Sequence, residues 1–275
     1  MRLLFLSDTH LGHDLPVRPR VERPRRGADF FRSFEAALAP ARAGLVDAVL
    51  HGGDLLYRSR VAPWLSDAAL APLRRLADAG VSVLLLPGNH ERGRIPHPLL
   101  ALHPRLHVFD RPRTFVLEAG GVRVAFTGFP HAGQVRDRFP ALLEAARAGA
   151  PPADVRLLCL HHCVEGATCG PADHTFRSGP DVIPRAAVPR DVAAVLCGHV
   201  HRHQVLRAEG LPPVIYAGST EQTSRAEAGE VKGYVLLRLD VDGLVRHEFR
   251  PLPDRAGERS STQLRGSHLV REPPP

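Results

Sequence analysis

The chain has 275 residues, of which 44% are apolar and 24% charged, the make-up of a globular core with room for one large α/β domain or two small ones. No apolar run approaches the roughly 20 residues of a membrane span, so a membrane partner is not expected. The formal charge of +7 rests almost wholly on arginine, Lys232 being the single lysine, and it favours a polyanionic partner such as nucleic acid.

In chain order, residues 2–7 read as a short buried strand ending in Ser7-Asp8-Thr9-His10. Asp8 and His10 interrupt the apolar start too early for a secretory signal, so the protein is expected to be cytoplasmic. Residues 15–27 carry Pro16, Pro19 and Pro24 among Arg18, Arg20, Arg23, Arg25 and Arg26. Proline forbids a helix there and charge forbids burial, which predicts an irregular basic loop able to meet phosphates. A helix is predicted over 28–43, shortened by Pro40, then a strand over 46–51 that breaks at Gly52-Gly53-Asp54. A second helix over 66–79 has Ser66 as its expected N-cap and Gly80 as its terminating glycine.

The apolar run 81–86 is too short for a helix and reads as a strand of a parallel sheet. It stops at Pro87-Gly88, a turn signal that throws Asn89, His90 and Glu91 past the strand's carboxyl end, where open α/β sheets hold ligands. Next come a short amphipathic piece at 98–103 and extended runs at 106–109, 114–117 and 122–128. Gly120-Gly121 marks a hairpin between the last two. A helix over 141–148 precedes a buried strand over 155–160 that ends in His161-His162. A further strand over 192–197 ends in Gly198-His199-Val200-His201. Runs at Val205, 214–216, 234–239 and 245–249 read as antiparallel strands. Cys159, Cys163, Cys169 and Cys197 form no C-x-x-C pair, and Cys159 and Cys197 lie in apolar runs as small hydrophobes. These elements predict an α/β fold in which two halves stack as a β-sandwich with helices outside. One domain is expected over 1–253, with a disordered, proline-rich and charged tail over 254–275.

Five strand ends thus supply Asp8 with His10, Asp54, Asn89 with His90, His161, and His199 with His201. In an extended segment residues i and i+2 face the same side, so D-x-H and H-x-H can each grip one ion. Nitrogen and oxygen donors without cysteine suit manganese, iron or zinc, and they number enough for two divalent cations. The glycines before Asp54 let the backbone approach closely, which suits a carboxylate shared by both ions. His90 can offer a proton near neutral pH.

The order D-x-H, G-G-D, G-N-H-E, H and G-H-x-H resembles the calcineurin-like metallophosphoesterases over roughly residues 1–250. That resemblance implies a two-sheet sandwich flanked by helices with a dinuclear metal centre at the strand ends. By motif, Asp8, His10, Asp54 and His201 would hold one ion. Asp54, Asn89, His161 and His199 would hold the other, manganese being the expected metal. His90 would be the general acid for the leaving group. Either member of the His161-His162 pair could face the metal; His161, first after the strand, is the expected ligand.

Two stretches, Ser7-Asp8-Thr9-His10-Leu11-Gly12 and Tyr216-Ala217-Gly218-Ser219-Thr220-Glu221, are similar to the SbcD-type DNA repair nucleases. Arg18, Arg20 and Arg23 of the basic loop, with Ser219 and Thr220 of the hydroxyl-rich one, are the expected substrate contacts. The resemblance implies a DNA exo- or endonuclease and an SMC-like ATPase partner. Those nucleases continue into a capping domain and an ATPase-binding segment, so a phosphoesterase domain alone is expected here. A phosphoesterase of cyclic nucleotides or phosphomonoesters would use the same centre, and a non-catalytic scaffold would be free to lose His90.

Overall fold

The computed structural model describes residues 1–15 and 25–253. Arg18, Arg20, Arg23 and the expected tail over 254–275 lie outside the described residues.

The first half runs β1 (Arg2–Leu6), α1 (Gly27–Ala37), α2 (Ala39–Arg42), β2 (Ala48–His51), α3 (Pro63–Asp78), β3 (Ser82–Leu85) and β4 (Leu106–Val108). The hairpin β5 (Arg113–Ala119) and β6 (Val122–Gly128) then leads through α4 (Val135–Arg147) to β7 (Val155–Leu160). Four two-residue strands follow: β8 (Cys163–Val164), β9 (Thr168–Cys169), β10 (His174–Thr175) and β11 (Val182–Ile183). The chain closes with β12 (Ala194–Cys197), β13 (Gln204–Ala208), β14 (Leu211–Tyr216), β15 (Gly233–Asp240) and β16 (Gly243–Pro251). One six-stranded sheet has the order β16-β15-β1-β2-β3-β4 and the other β13-β14-β12-β7-β6-β5.

Alternation within β1 explains why its sequence is apolar throughout. Leu3 and Phe5 point into the core between the two sheets, with Leu50, Leu84, Phe126, Leu157 and Leu196. Leu4 and Leu6 point the other way, under Phe30 and Phe34 of α1 and Leu70 and Leu73 of α3. The second sheet repeats the pattern, its outer face covering Leu158, Val195 and Tyr216 with Phe139 of α4 and the excursion over residues 163–188. A strand buried on both faces has no polar side to show. Truncating Phe5 or Phe126 to alanine in such a core would cost about 3–5 kcal/mol.

Several expectations shift at element ends. The helix predicted over 28–43 divides at Leu38 into α1 and α2, with Pro40 in the first turn of α2, where a missing N–H is harmless. Helix α3 begins at Pro63 rather than at Ser66, for the same reason. Ser66 is no cap: it is buried, and its hydroxyl donates to the Pro96 carbonyl at 3.5 Å. Helix α4 starts six residues before the predicted 141, at Val135, and carries Pro140 within it. The Gly120-Gly121 turn has positive φ at both glycines, 60° and 74°, as a tight hairpin requires.

Strands β1 to β4 are mutually parallel, as are β6, β7, β12 and β14. Their carboxyl ends therefore gather at one edge of the sandwich. At the opposite end of β1, the Met1 amino group is buried and donates to the Leu239 carbonyl at 2.8 Å.

Candidate metal centre

Four of the strand-end residues sit in left-handed backbone: Asp8 (φ 53°), His10 (φ 45°), Asp54 (φ 53°) and His199 (φ 81°). Asp and His are among the side chains that tolerate this region, yet each such residue costs about 1–3 kcal/mol. The surroundings hold them there. Asp8 N–H donates to Gly53 O and His10 N–H to Asp54 O, both at 2.9 Å, so the β1–β2 ladder continues beyond the strands into the loops. Gly53 is obligatory: a Cβ there would lie 2.1 Å from Nδ1 of His161.

The loops of the two sheets meet over these turns. His161 Nε2 lies 3.3 Å from Asp54 Oδ2 and 3.0 Å from Asn89 Oδ1, and His199 Nδ1 lies 2.8 Å from the same Asn89 oxygen. On the other side His10 Nε2 and His201 Nε2 face each other at 3.0 Å, with Asp54 Oδ2 3.8 Å from the former and Asp8 Oδ1 3.8 Å from the latter. Asp54 is central to both halves, and Asp8 nearly so, at 3.9 Å from His161. Three overlapping groups have ligand atoms within 4.8 Å of one another: Asp8, His10 and His201; His10, Asp54 and His90; Asp8, Asp54 and His161.

This donor set fits divalent cations, because the far nitrogens of three of its histidines are already committed. His161 Nδ1 donates to Gly52 O at 2.7 Å, His201 Nδ1 to Glu227 Oε1 at 3.1 Å and His90 Nδ1 to Tyr57 O at 2.5 Å. Each leaves Nε2 aimed into the cluster, the orientation a metal-binding imidazole needs. His90 differs from the rest in exposure: its side chain is 36% accessible, against 2% for His10 and 0% for His161.

Electrostatics follow burial and crowding. Burial raises the Asp8 carboxyl, against the pull of His161 and His201. Burial, the largest single influence, opposes the Asp54 charge, but His161, His10 and His90 together outweigh it and hold that carboxyl well below the usual carboxylate range. Burial pulls His161 down, while Asp54 and then Asp8 push it up to about 9. His199 falls to about 3 through burial, helped by the charge of His161. Without cations the site is a set of competing protons.

The two histidines of the 161–162 pair point to different places. His161 enters the cluster, whereas His162 turns away, stacks on His131 at 4.9 Å and 12°, and accepts from Ala132 N–H at 3.1 Å. The expected substrate contacts fare differently. Ser219 and Thr220 are 0% and 1% exposed, so the structure does not bring them to the open face; Ser219 bridges Ser7 of the β1 end instead. Arg25 and Arg26, from the basic stretch, are tied back onto Asp14 and Glu221.

Three neighbours were given no role by the sequence reading. His131 stands 5.9 Å from His199 and 6.2 Å from His161, just past β6, which is one more parallel strand end. Glu91 is buried and accepts backbone N–H bonds from Asp54 (3.1 Å), Leu56 (2.6 Å) and Gly88 (2.8 Å). It thereby ties the Asp54 loop to the Asn89 loop. Burial, then the Asp54 charge, push its carboxyl up to about 8. Glu227 is the third, and nothing local in sequence pairs it with His201.

Comparison with known proteins points the same way. The curated DNA double-strand break repair protein Mre11 of Haloferax volcanii is 33% identical over 282 residues, covering 98% of this chain and 58% of its own length. The protein of the same name from Methanopyrus kandleri is 26% identical over 273 residues, covering 90% of this chain and 56% of its own. The chain thus spans little more than half of either relative. Among solved structures, TT1561 of Thermus thermophilus shares the fold, with a TM-score of 0.54, 14% identity, and coverage of 91% of this chain and 98% of that one. The model of the calcineurin-like phosphoesterases matches residues 1–203, a span that runs from the first strand past His201, and by that match this chain is a member of the calcineurin-like phosphoesterase family.

Proposed function

We propose that the chain is a dinuclear-metal phosphodiesterase that cleaves DNA, as a repair exo- or endonuclease. Asp8, His10, Asp54 and His201 would hold one cation and Asp54, Asn89, His161 and His199 the other, manganese being the metal that this nitrogen and oxygen set suits, with iron or zinc as alternatives. Two divalent cations held there would supply the Lewis acidity that phosphodiester hydrolysis needs at neutral pH.

The protein's own contribution lies in aim and protons. Left-handed turns at Asp8, His10, Asp54 and His199 fix the donors before substrate arrives. His90 reaches solvent at the rim, and the Tyr57 carbonyl on its Nδ1–H fixes the ring's orientation, so that Nε2 is the atom aimed to give a proton to a departing alkoxide. Its Nε2 lies 3.9 Å from Asp54 Oδ2, at the mouth of the cluster.

The observation that carries the DNA reading is a set of four free arginines. Arg58 and Arg60 follow Asp54 on one loop, and Arg92 and Arg94 follow His90 on the next. All four are exposed, and their side chains form no hydrogen bond or ion pair with any described residue. Some arginines elsewhere, such as Arg26, Arg42 and Arg202, are matched by carboxylates and others, such as Arg156 and Arg177, are not; these four are set apart by lying on the loops that carry Asp54 and His90. Unmatched cations beside a phosphoesterase centre suit a polyanion longer than one phosphate. The Mre11 names of the relatives, which speak of DNA double-strand breaks, support the same substrate.

Salt dependence tests this. Each phosphate contact contributes a slope of about 0.9 in log affinity against log salt on duplex DNA, or about 0.7 on single strands. Replacing Arg58, Arg60, Arg92 and Arg94 by serine should flatten that slope while hydrolysis of a small aryl phosphodiester stays nearly unchanged. A wild-type slope in the quadruple variant, or a wild type that hydrolyses cyclic nucleotides and leaves DNA intact, would refute the reading.

A further inference from the structure

The chain contains 36 lysines and arginines, and all but Lys232 are arginine. Its single side-chain ammonium lies beneath the candidate metal centre. Lys232 Nζ donates to the His201 carbonyl at 3.2 Å, to Glu227 Oε2 at 2.7 Å and to Glu230 Oε2 at 3.1 Å. Its side chain is only 9% exposed. Glu227 in turn receives His201 Nδ1–H on its other oxygen. One ammonium therefore holds the same histidine twice, by its main chain directly and by its imidazole through a carboxylate.

We infer that Lys232 is a positioning residue of the His201 half of the centre, acting with Thr223 and Ser224, which also bond Glu227, to fix the aim of His201 Nε2 toward the cation it would share with Asp8, His10 and Asp54. The inference rests on the metal reading above and adds a residue to it. Three acceptors, one on the His201 loop and two on the segment over residues 227–230, match the three donors of a tetrahedral ammonium. A guanidinium, whose donors lie in one plane, cannot meet all three from the same stem. Glu230 extends the support outward: its Oε1 accepts from Arg202 Nε at 3.1 Å, and Arg202 Nη2 donates to Gly170 O at 2.7 Å. Charges thus alternate from Arg202 through Glu230, Lys232 and Glu227 to His201, anchoring the histidine loop to the turn between β9 and β10. The neighbouring half has no need of this brace, because His161 is held by Gly52 O within the strand-end turns themselves.

Groups that orient a metal-binding imidazole are commonly worth 10- to 100-fold in metal affinity. The test is isothermal titration of the full chain, stripped with chelator, with Mn2+ alone, comparing wild type, Lys232→Met and Lys232→Arg. Wild type should bind two ions. Both variants should keep one site within about threefold of wild type and weaken the other by the 10- to 100-fold above. Excess Mn2+ should then restore kcat on an aryl phosphodiester with KM unchanged. If Lys232→Met fails to fold, Lys232→Arg, which keeps charge and bulk, carries the test alone. Two wild-type sites with unaltered affinities in the variants would overturn this inference and leave the metal reading standing. A wild type that binds no second ion would overturn both.

Discussion

Glu91 gives the sharpest stability test, because its three backbone bonds join the two loops that carry Asp54 and Asn89. Replacing it with alanine leaves the N–H groups of Asp54, Leu56 and Gly88 without their acceptor in a site where Glu91 is 2% exposed. Each buried donor left unpaired costs about 1–3 kcal/mol, so the ceiling is about 9. Two effects lower it. Water can enter the vacated space and satisfy some donors, and the variant no longer buries a carboxylate beside Asp54, a penalty visible in the carboxyl being pushed up to about 8. The bonds still win, since three donors are involved and only one charge, and a net loss of about 3 kcal/mol is expected. Glu91→Gln keeps the volume and one oxygen, which can serve Asp54 and Gly88 while its NH2 meets Leu56 N–H unfavourably; about 1–2 kcal/mol should go. Urea unfolding in chelator, at one pH near neutrality, reads both numbers free of metal effects. A loss below about 1 kcal/mol for alanine would show that Glu91 does not hold these loops together.

Two further outcomes follow from the geometry of the histidines. His161→Ala should abolish binding of one Mn2+ in titration, while His162→Gln, whose side chain can still accept from Ala132 N–H, should leave both ions bound; loss in the second variant and not the first would reverse the assignment. His90→Gln should retain metal but slow esters with poor leaving groups far more than activated aryl esters, which need no proton. Equal slowing of the two would make His90 a ligand or phosphate contact, in keeping with its membership of the His10 and Asp54 group.

What the sequence made legible was what repeats locally. The apolar runs ending at Ser7, Gly52, Pro87, His161 and Gly198 each announced a strand, and parallel pairing forced their polar followers together. Asp8, His10, Asp54, Asn89, His161, His199 and His201 could be named for that reason. Contacts made across long separations were not legible. Arg26 looked like a free cation in a basic loop, but its partner Glu221 lies 195 residues on. Gly218-Ser219-Thr220 looked like a phosphate loop, but its register with Ser7 turns both hydroxyls inward. Free arginines and paired ones are identical letters, so Arg58, Arg60, Arg92 and Arg94 could be distinguished only once their surroundings were known. His131 follows a strand like the others, yet Phe129-Pro130 before it masked the pattern.

The burial of Met1 has a practical consequence when set beside the single lysine. The sequence holds two amines: that of Met1, on the Leu239 carbonyl near the end of β15, and the ε-amine of Lys232, just before β15 and under the His201 loop. Neither is presented to solvent in the folded molecule, so acylating reagents should mark the native protein slowly. Each modification would then record an opening event, at the β1–β15 edge or at the histidine loop, and peptide mass spectrometry would tell the two apart. A composition shaped by arginine thus gives the chain two built-in reporters of local unfolding, one at each end of β15.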